Sequence, residues 1–312
     1  MLGRTAGGLF WMFRYLERAE NCARLIDAGF RIALTRGGHG AGEWASIAAT
    51  AGVSAAYAQA HDVSDGPRVI DFLLRDRRNP SSALSSIEAA RTNARAVRTA
   101  LTREVWEATN EAWLTLRDVL AEPVGERNLP ESLALIRREI AQVRGALQGT
   151  MLRNDIFNFC HIGAYLERAD NTARILDVKY YVLLPSPALI GSSADNVQWD
   201  MILRAVSAQR SFRWLHSEVS AYGIAKFLIL DRRMPRSLAY CYSGLVENLR
   251  NLGAEYGFEP PSTAQAAVAQ CRLNERSMDE IFAAGLHEFI GGFIGANIDL
   301  SAAIEADYRF YG

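Results

Sequence analysis

Cysteine and histidine are scarce in this sequence. The four cysteines, Cys22, Cys160, Cys241 and Cys271, form no C-x-x-C pair, and each lies in a helical pattern. Reduced, partly buried packing thiols are therefore expected, rather than a disulfide framework or a thiolate metal site. The five histidines are scattered, and none completes the Glu-x-x-His spacing of a di-metal helical bundle. The stretches at His216 ("HSE") and His287 ("HE") have the wrong spacing, so no metal is expected. A basic excess is missing too: 34 basic residues face 35 acidic ones, for a formal net charge of -1. That balance argues against nucleic acid as a partner. No P-loop, dinucleotide fingerprint or G-x-S-x-G elbow occurs, and no cofactor is expected. No stretch approaches the roughly 20 apolar residues of a membrane span. The opening "MLGRTAGGLFWMF" is short in its apolar run and lacks a small-x-small cleavage pattern, so it does not read as a signal peptide. A cytoplasmic location without membrane association is the expectation.

Proline is also sparse, and its placement is informative. The nine prolines cluster at joints such as "NLPES", "LLPSPAL", "RMPRS" and "FEPPSTA". Between the joints run stretches rich in Ala, Leu, Arg and Glu, with apolar residues three and four apart, the amphipathic helix signal. No alternating β-branched run calls for a strand. Capping boxes are expected at Ser262 with Gln265 and at Ser277 with Glu280. "TRGGHGAG", from Thr35 to Gly42, reads as a loop that ends the first long helix. The fold class is all-α.

The chain also repeats itself. "YLERAENCARLID" spans Tyr15 to Asp27, and "YLERADNTARILD" spans Tyr165 to Asp177. "FLLRDRRNPSS" (Phe72 to Ser82) returns as "FLILDRRMPRS" (Phe227 to Ser237). In the same order Trp44 pairs with Trp199, His61 with His216, Asn93 with Asn248 and Arg95 with Arg250. The simplest reading is an internal duplication with repeats of about 1–155 and 156–312. No linker separates the halves, so residues 1–312 are expected to form a single pseudo-twofold bundle of long helices.

On a helical wheel with Glu17 at zero, Arg24 lies near -20°, Asn21 near +40°, Glu20 near -60° and Asp27 near -80°, at about 100° per residue. Tyr15, Ala19, Cys22 and Ile26 fall opposite. The second copy repeats the stripe with Glu167, Asp170, Asn171, Arg174 and Asp177, and Arg18 and Arg168 stand at its edge. A solvated helix face gains only about 0.2–0.5 kcal/mol from a pair such as Glu20 with Arg24. It also tolerates Lys for Arg, yet Glu, Arg, Asn, Arg and Asp are identical in both copies, and Glu20 changes only to Asp170. Identity of that kind points to bidentate geometry. In one reading the stripes are buried at the pseudo-twofold seam as a paired network. In the other they line a cleft, with all twelve residues as binding candidates and Glu17 or Glu167 as catalytic acid–base candidates.

Two further features are weaker. In the "D-R-R" turns a proline sits at an expected first helical turn, with Asn79 as a cap and Asp76 and Asp231 fixing the turn. Arg77, Arg78, Arg232 and Arg233 there are expected to be solvated. The Trp44/His61 and Trp199/His216 pairs are expected at the core and its edge.

The repeated "YLERA(E/D)N-x-AR", the opening "ML-x-R" before "LFWMFRYLERAEN", the "LDVKYYVLLP" that follows the second copy, the "D-x-x-x-P-x-S" turns and "DEIFAAGLHEF" together resemble the Alpha-E family. The resemblance covers essentially the whole chain and implies a bacterial all-helical domain with a Glu-Arg motif, which maps onto Glu17–Arg18 and Glu167–Arg168. It further implies partnership with a circularly permuted ATP-grasp protein and a transglutaminase-like protein, in a system that ligates or trims peptides. Three functions are compatible with the residues: an accessory binding protein for such an amide ligase, an enzyme of the same pathway, or a structural interaction module.

Overall fold

A computed structural model describes residues 1–35, 41–183 and 193–311. Among these residues the chain forms fifteen α-helices, one 3-10 turn and no strand. Two long helices form the centre, α1 (Gly3–Thr35) and α8 (Asp155–Leu183). Each carries one copy of the doubled segment. The helices α2 (Ala41–Thr50), α3 (Ser54–Ala60), α4 (Gly66–Leu74), α5 (Ala83–Ala96), α6 (Arg103–Val119) and α7 (Leu129–Thr150) follow α1. After α8 come α9 (Ser193–Ala205), α10 (Gln209–Leu215), α11 (Ala221–Leu230), α12 (Leu238–Tyr256), α13 (Pro261–Glu275), α14 (Met278–Ala284) and α15 (Leu286–Asp307).

The two halves pack in parallel ways. Helix α1 is flanked by α5 and α7, and α8 by α12 and α15. The short helices cross over: α2 packs on α8, and α9 packs on α1. Apolar residues of both halves belong to one buried cluster, from Leu9, Phe10 and Phe13 of α1 to Leu245 and Leu249 of α12. Positions in contact rise together along α1 and α8, so these helices run side by side in the same direction. Where they meet, a Cβ on Gly163 would lie 2.2 Å from the Phe10 carbonyl oxygen. Only glycine permits that approach of two backbones.

The local turn chemistry is partly as the sequence implies. Ser277 and Glu280 form the reciprocal capping box that starts α14. Asp76 and Asp231 each accept from the backbone N–H two residues on, of Arg78 and Arg233, at 2.8 Å. Arg77, Arg78 and Arg233 are largely exposed. Trp44 and Trp199 are buried, and His61 and His216 stack at the core edge on Tyr57 and Phe212.

Several expectations are corrected. Asn79 does not cap α5; Ser82 does, accepting from Ser85 N, because Pro80 lies in the preceding turn. Buried Asn79 instead accepts from Ser81 N and donates to the Phe72 carbonyl. The Ser262–Gln265 box is absent because α13 already starts at Pro261, and the Ser262 N–H donates to Asp307 at 2.8 Å. Cys271 is exposed, unlike the three buried thiols. Gly285, at φ +96°, breaks the last helical stretch into α14 and α15. α15 is also long and apolar enough to cross a membrane by length and composition, which corrects the expectation that no stretch comes near a span. Only 28% of its most apolar window is buried, and its Ile290, Leu300 and Ile304 are among the buried residues. The core of the "TRGGHGAG" loop, residues 36–40, and the end of "LDVKYYVLLP" lie outside the described residues.

Candidate functional site

Most of the first-copy stripe is buried, and in the second copy Arg168, Asp170, Arg174 and Asp177 are half-buried. Glu17 is 1% exposed, Glu20 0% and Glu167 6%, with Asn21, Arg24, Asp27 and Asn171 buried beside them. Neither α1 nor α8 presents these charges to solvent, so each must be satisfied by the protein.

The pairing runs across the seam. Arg168 of the second copy donates from Nη2 to Glu17 of the first. Arg18 of the first copy grips Glu167 of the second through Nε at 2.6 Å and Nη2 at 3.0 Å. The Glu-Arg motif thus exchanges partners between its copies. This bidentate grip is the geometry that lysine lacks. Other stripe members pair within their own helix: Arg24 with Glu20, and Arg174 with Asp170 at 2.6 Å. Asp27 receives Arg31 at 3.0 Å and Arg137 at 3.4 Å. Asp177 meets His287 Nδ1 at 2.6 Å.

Three arginines outside the stripe complete the two clusters, and sequence reasoning missed them as site residues. Arg14 donates to Glu167 at 2.8 Å. Arg144 of α7 reaches both Glu17 and Glu20 through one Nη1. Buried Arg236 donates to Glu20 at 2.8 Å and stands 3.6 Å from Glu17 Oε2. Arg236 did leave a trace, since it and Met234 stand where the first copy of the repeated turn has Ser81 and Asn79. No motif marks Arg144.

The charges do not cancel. Around Glu17 and Glu20 stand four guanidinium groups, of Arg24, Arg144, Arg168 and Arg236, a surplus of two positive charges. Around Glu167 and Asp170 stand Arg14, Arg18 and Arg174, a surplus of one. Burial alone would raise the Glu17 and Glu20 carboxyls, but the facing arginines overcome it and hold both below the usual carboxylate range. Glu167 is likewise opposed by burial and drawn down to about 2 by Arg18 and Arg14. Asp170 differs: burial outweighs Arg174 and raises it. Burial pushes Arg236 down to about 10, which leaves it charged at neutral pH.

Two cavities open onto these clusters. The larger, about 840 Å³, lies between α7, α8 and α12 and is lined by Arg144, Arg168, His161, Tyr165, Tyr240 and Asn248 among others. Burial, reinforced by Arg168 and Arg153, lowers His161 to about 4, so its ring is neutral at pH 7. Arg168 Nε and His161 Nε2 have no hydrogen-bond partner among the described residues. Arg144 spends only Nη1 on carboxylates. The smaller cavity, about 290 Å³, is lined by Arg14, Arg18, Asn21, Glu167, Asp170 and Asn171 among others. There Asn21 Oδ1 and Asn171 Nδ2 lack partners among the described residues. Glu17 and Glu20 thus lie behind the first cavity, and most second-copy stripe residues line the other. Asp27 lines a third hollow, and Asp177 pairs away from all three. No group of three His, Cys, Asp or Glu side chains that could hold a metal occurs among the described residues.

Such a site can bind and orient an anion. Its carboxylates are held ionised by arginine, which suits them to fix guanidinium groups in place. Fold and site together define an all-α helical domain built around a reciprocal Glu-Arg motif. The family model for Alpha-E, described as a predicted alpha-helical domain with a conserved ER motif, matches residues 1–308, and the chain belongs to that family. Similar proteins include the uncharacterized protein Mb2597 of Mycobacterium bovis, 23% identical over 98% of this chain and 36% of its own length. Another is the uncharacterized protein Rv2567 of Mycobacterium tuberculosis, 22% identical with the same coverage. The chain therefore spans about a third of the length of the curated relatives it matches. No solved structure matches.

Proposed function

We propose that this Alpha-E domain is an accessory binding protein that holds a carboxylate-bearing ligand for a separate amide ligase. The observation that carries this reading is the surplus of guanidinium groups at the larger cavity, buried at Arg24 and Arg236 and half-buried at Arg144 and Arg168. Two positive charges in excess of Glu17 and Glu20, the carboxylates they face, favour an anion that enters beside Arg144 and Arg168. The ligase would be a circularly permuted ATP-grasp protein, with a transglutaminase-like protein in the same bacterial peptide system, as the family resemblance implies. We also read the parallel helix order of the two halves as the product of an internal duplication.

The acid–base alternative has one group in its favour, the raised Asp170 carboxyl in the smaller cavity. Glu17 and Glu167 fit it poorly, because a carboxyl held ionised by arginine cannot donate a proton near neutral pH. The purely structural alternative accounts for the exchanged Glu-Arg pairs but not for the charge surplus.

The test is equilibrium dialysis of the full chain against a mixture of amino acids and short peptides, beside Arg144→Gln. Wild type should retain carboxylate-bearing molecules and the folded variant should lose them. Retention of none by wild type refutes the reading. Co-elution with an ATP-grasp ligase from the same host tests the partnership, and separate elution of the two purified proteins counts against it.

A further inference from the structure

The shape of the larger cavity and the charge along it name a ligand class; this step rests on the carboxylate-binding reading above. Tyr165 of α8 stands by Tyr240 of α12, with ring centroids 6.2 Å apart. At the other end the Tyr256 hydroxyl of α12 donates to Asp155 of α8 at 2.8 Å. The two walls therefore run antiparallel, and the cavity is a groove along them. On α8 the lining positions step from Phe157 through His161 and Tyr165 to Arg168, one face of the helix. On α12 they step from Tyr240 through Asn248 and Asn251 to Glu255. At 1.5 Å per helical residue those walls are about 16–22 Å long. An extended peptide advances about 3.3 Å per residue, so the groove accommodates about five or six residues.

The two ends differ in charge. Arg144 and Arg168, backed by Arg236, close the Tyr240 end. On α12 Glu255 lies at the opposite end, with Arg153 across from it, and Glu247 stands about midway; both carboxylates are exposed and neither is ion-paired among the described residues. The walls between offer Gln148, Asn158, Asn248 and Asn251, whose amides can pair with peptide N–H and C=O groups. Neutral His161 leaves Glu247 as the charge midway along the groove. We infer that the groove binds an extended peptide of about five or six residues, its C-terminal carboxylate at Arg144 and Arg168 and its ammonium terminus at Glu255.

A random hexapeptide pool with free termini is the probe, dialysed against the full chain beside the same pool C-amidated, the same pool N-acetylated, and the free amino acids. A charge-assisted carboxylate contact corresponds to a loss of about tenfold or more on amidation. Acetylation should weaken retention about threefold by the smaller effect of an exposed pair. Glu255→Gln, a change at an exposed position, should erase most of the acetylation effect without unfolding the protein. Amidated peptides retained as well as free ones overturn the inference. So do free amino acids held as tightly as hexapeptides, an outcome that leaves carboxylate binding intact. Retention of no carboxylate-bearing molecule refutes the underlying reading instead, and the inference falls with it.

Discussion

Glu167→Gln isolates the motif's contribution to the fold. The substitution keeps the shape and helix propensity of the side chain and removes one charge. In the wild type, Glu167 accepts three hydrogen bonds, from Arg14 Nε, Arg18 Nε and Arg18 Nη2. Its carboxyl falls from an ordinary 4.5 to about 2 on folding. A difference of about 2.5 pKa units corresponds to about 3 kcal/mol. Because the folded pKa is the lower one, this stability is fully present above pH 4.5 and is lost as pH falls toward 2. About half should be gone by pH 3. An independent route gives a similar figure, since removing one member of a buried ion pair costs about 3–5 kcal/mol. The lower end applies, because Arg14 and Arg18 stay partly exposed and lie over the Trp11 and Tyr15 rings. Urea unfolding of wild type and variant at pH 7, 4 and 3 is the assay. A deficit of about 3 kcal/mol at pH 7 that narrows by pH 3 is expected. A deficit below about 1 kcal/mol at pH 7, in the range of an exposed pair, refutes the reading of this network as structural. So does a deficit that does not change with pH.

Arg18→Lys should cost about 1–2 kcal/mol in the same assay, because an ammonium cannot reproduce two parallel bonds to Glu167; no loss would show that the fork geometry is dispensable. Gly163→Ala should destabilise by about 2 kcal/mol or more, since the new methyl meets the Phe10 backbone. Gly145→Ala should instead stabilise by up to about 1 kcal/mol, because a Cβ there meets nothing within 4 Å; thermal melts of the two variants that move in the same direction contradict the packing described. Finally, one thiol should react with an aromatic disulfide reagent in the native protein and four in denaturant. Cys22, Cys160 and Cys241 are buried, and burial pushes all three thiols up, whereas Cys271 is exposed.

The helices were legible because helical periodicity is local: three- and four-residue spacing fixes a face wherever the chain goes. The Ser277 box was legible for the same reason. The Ser262 box and the Asn79 cap were misread because the same residue types compete for turn and cap positions, and a proline one residue away decides between them. The stripe was visible as a set of identical polar residues, and the repeat of Arg where Lys would serve a solvated face pointed to paired geometry.

The sequence alone therefore determined that α1 and α8 each carry a stripe of carboxylate, amide and guanidinium groups. Tertiary structure decided which groups they meet. Glu17 pairs with Arg168 and Glu167 with Arg18 because α1 and α8 lie side by side in one direction, a relation between segments 150 residues apart. Arg144 and Arg236 come from α7 and the turn before α12; no motif marks Arg144, and the departure from the repeat at Arg236 does not say that it meets Glu17 and Glu20. The charge surplus around Glu17 and Glu20 arises only when those arginines arrive, and the depressed carboxyls and the groove arise only when the helices pack, because burial and proximity are properties of the packed chain.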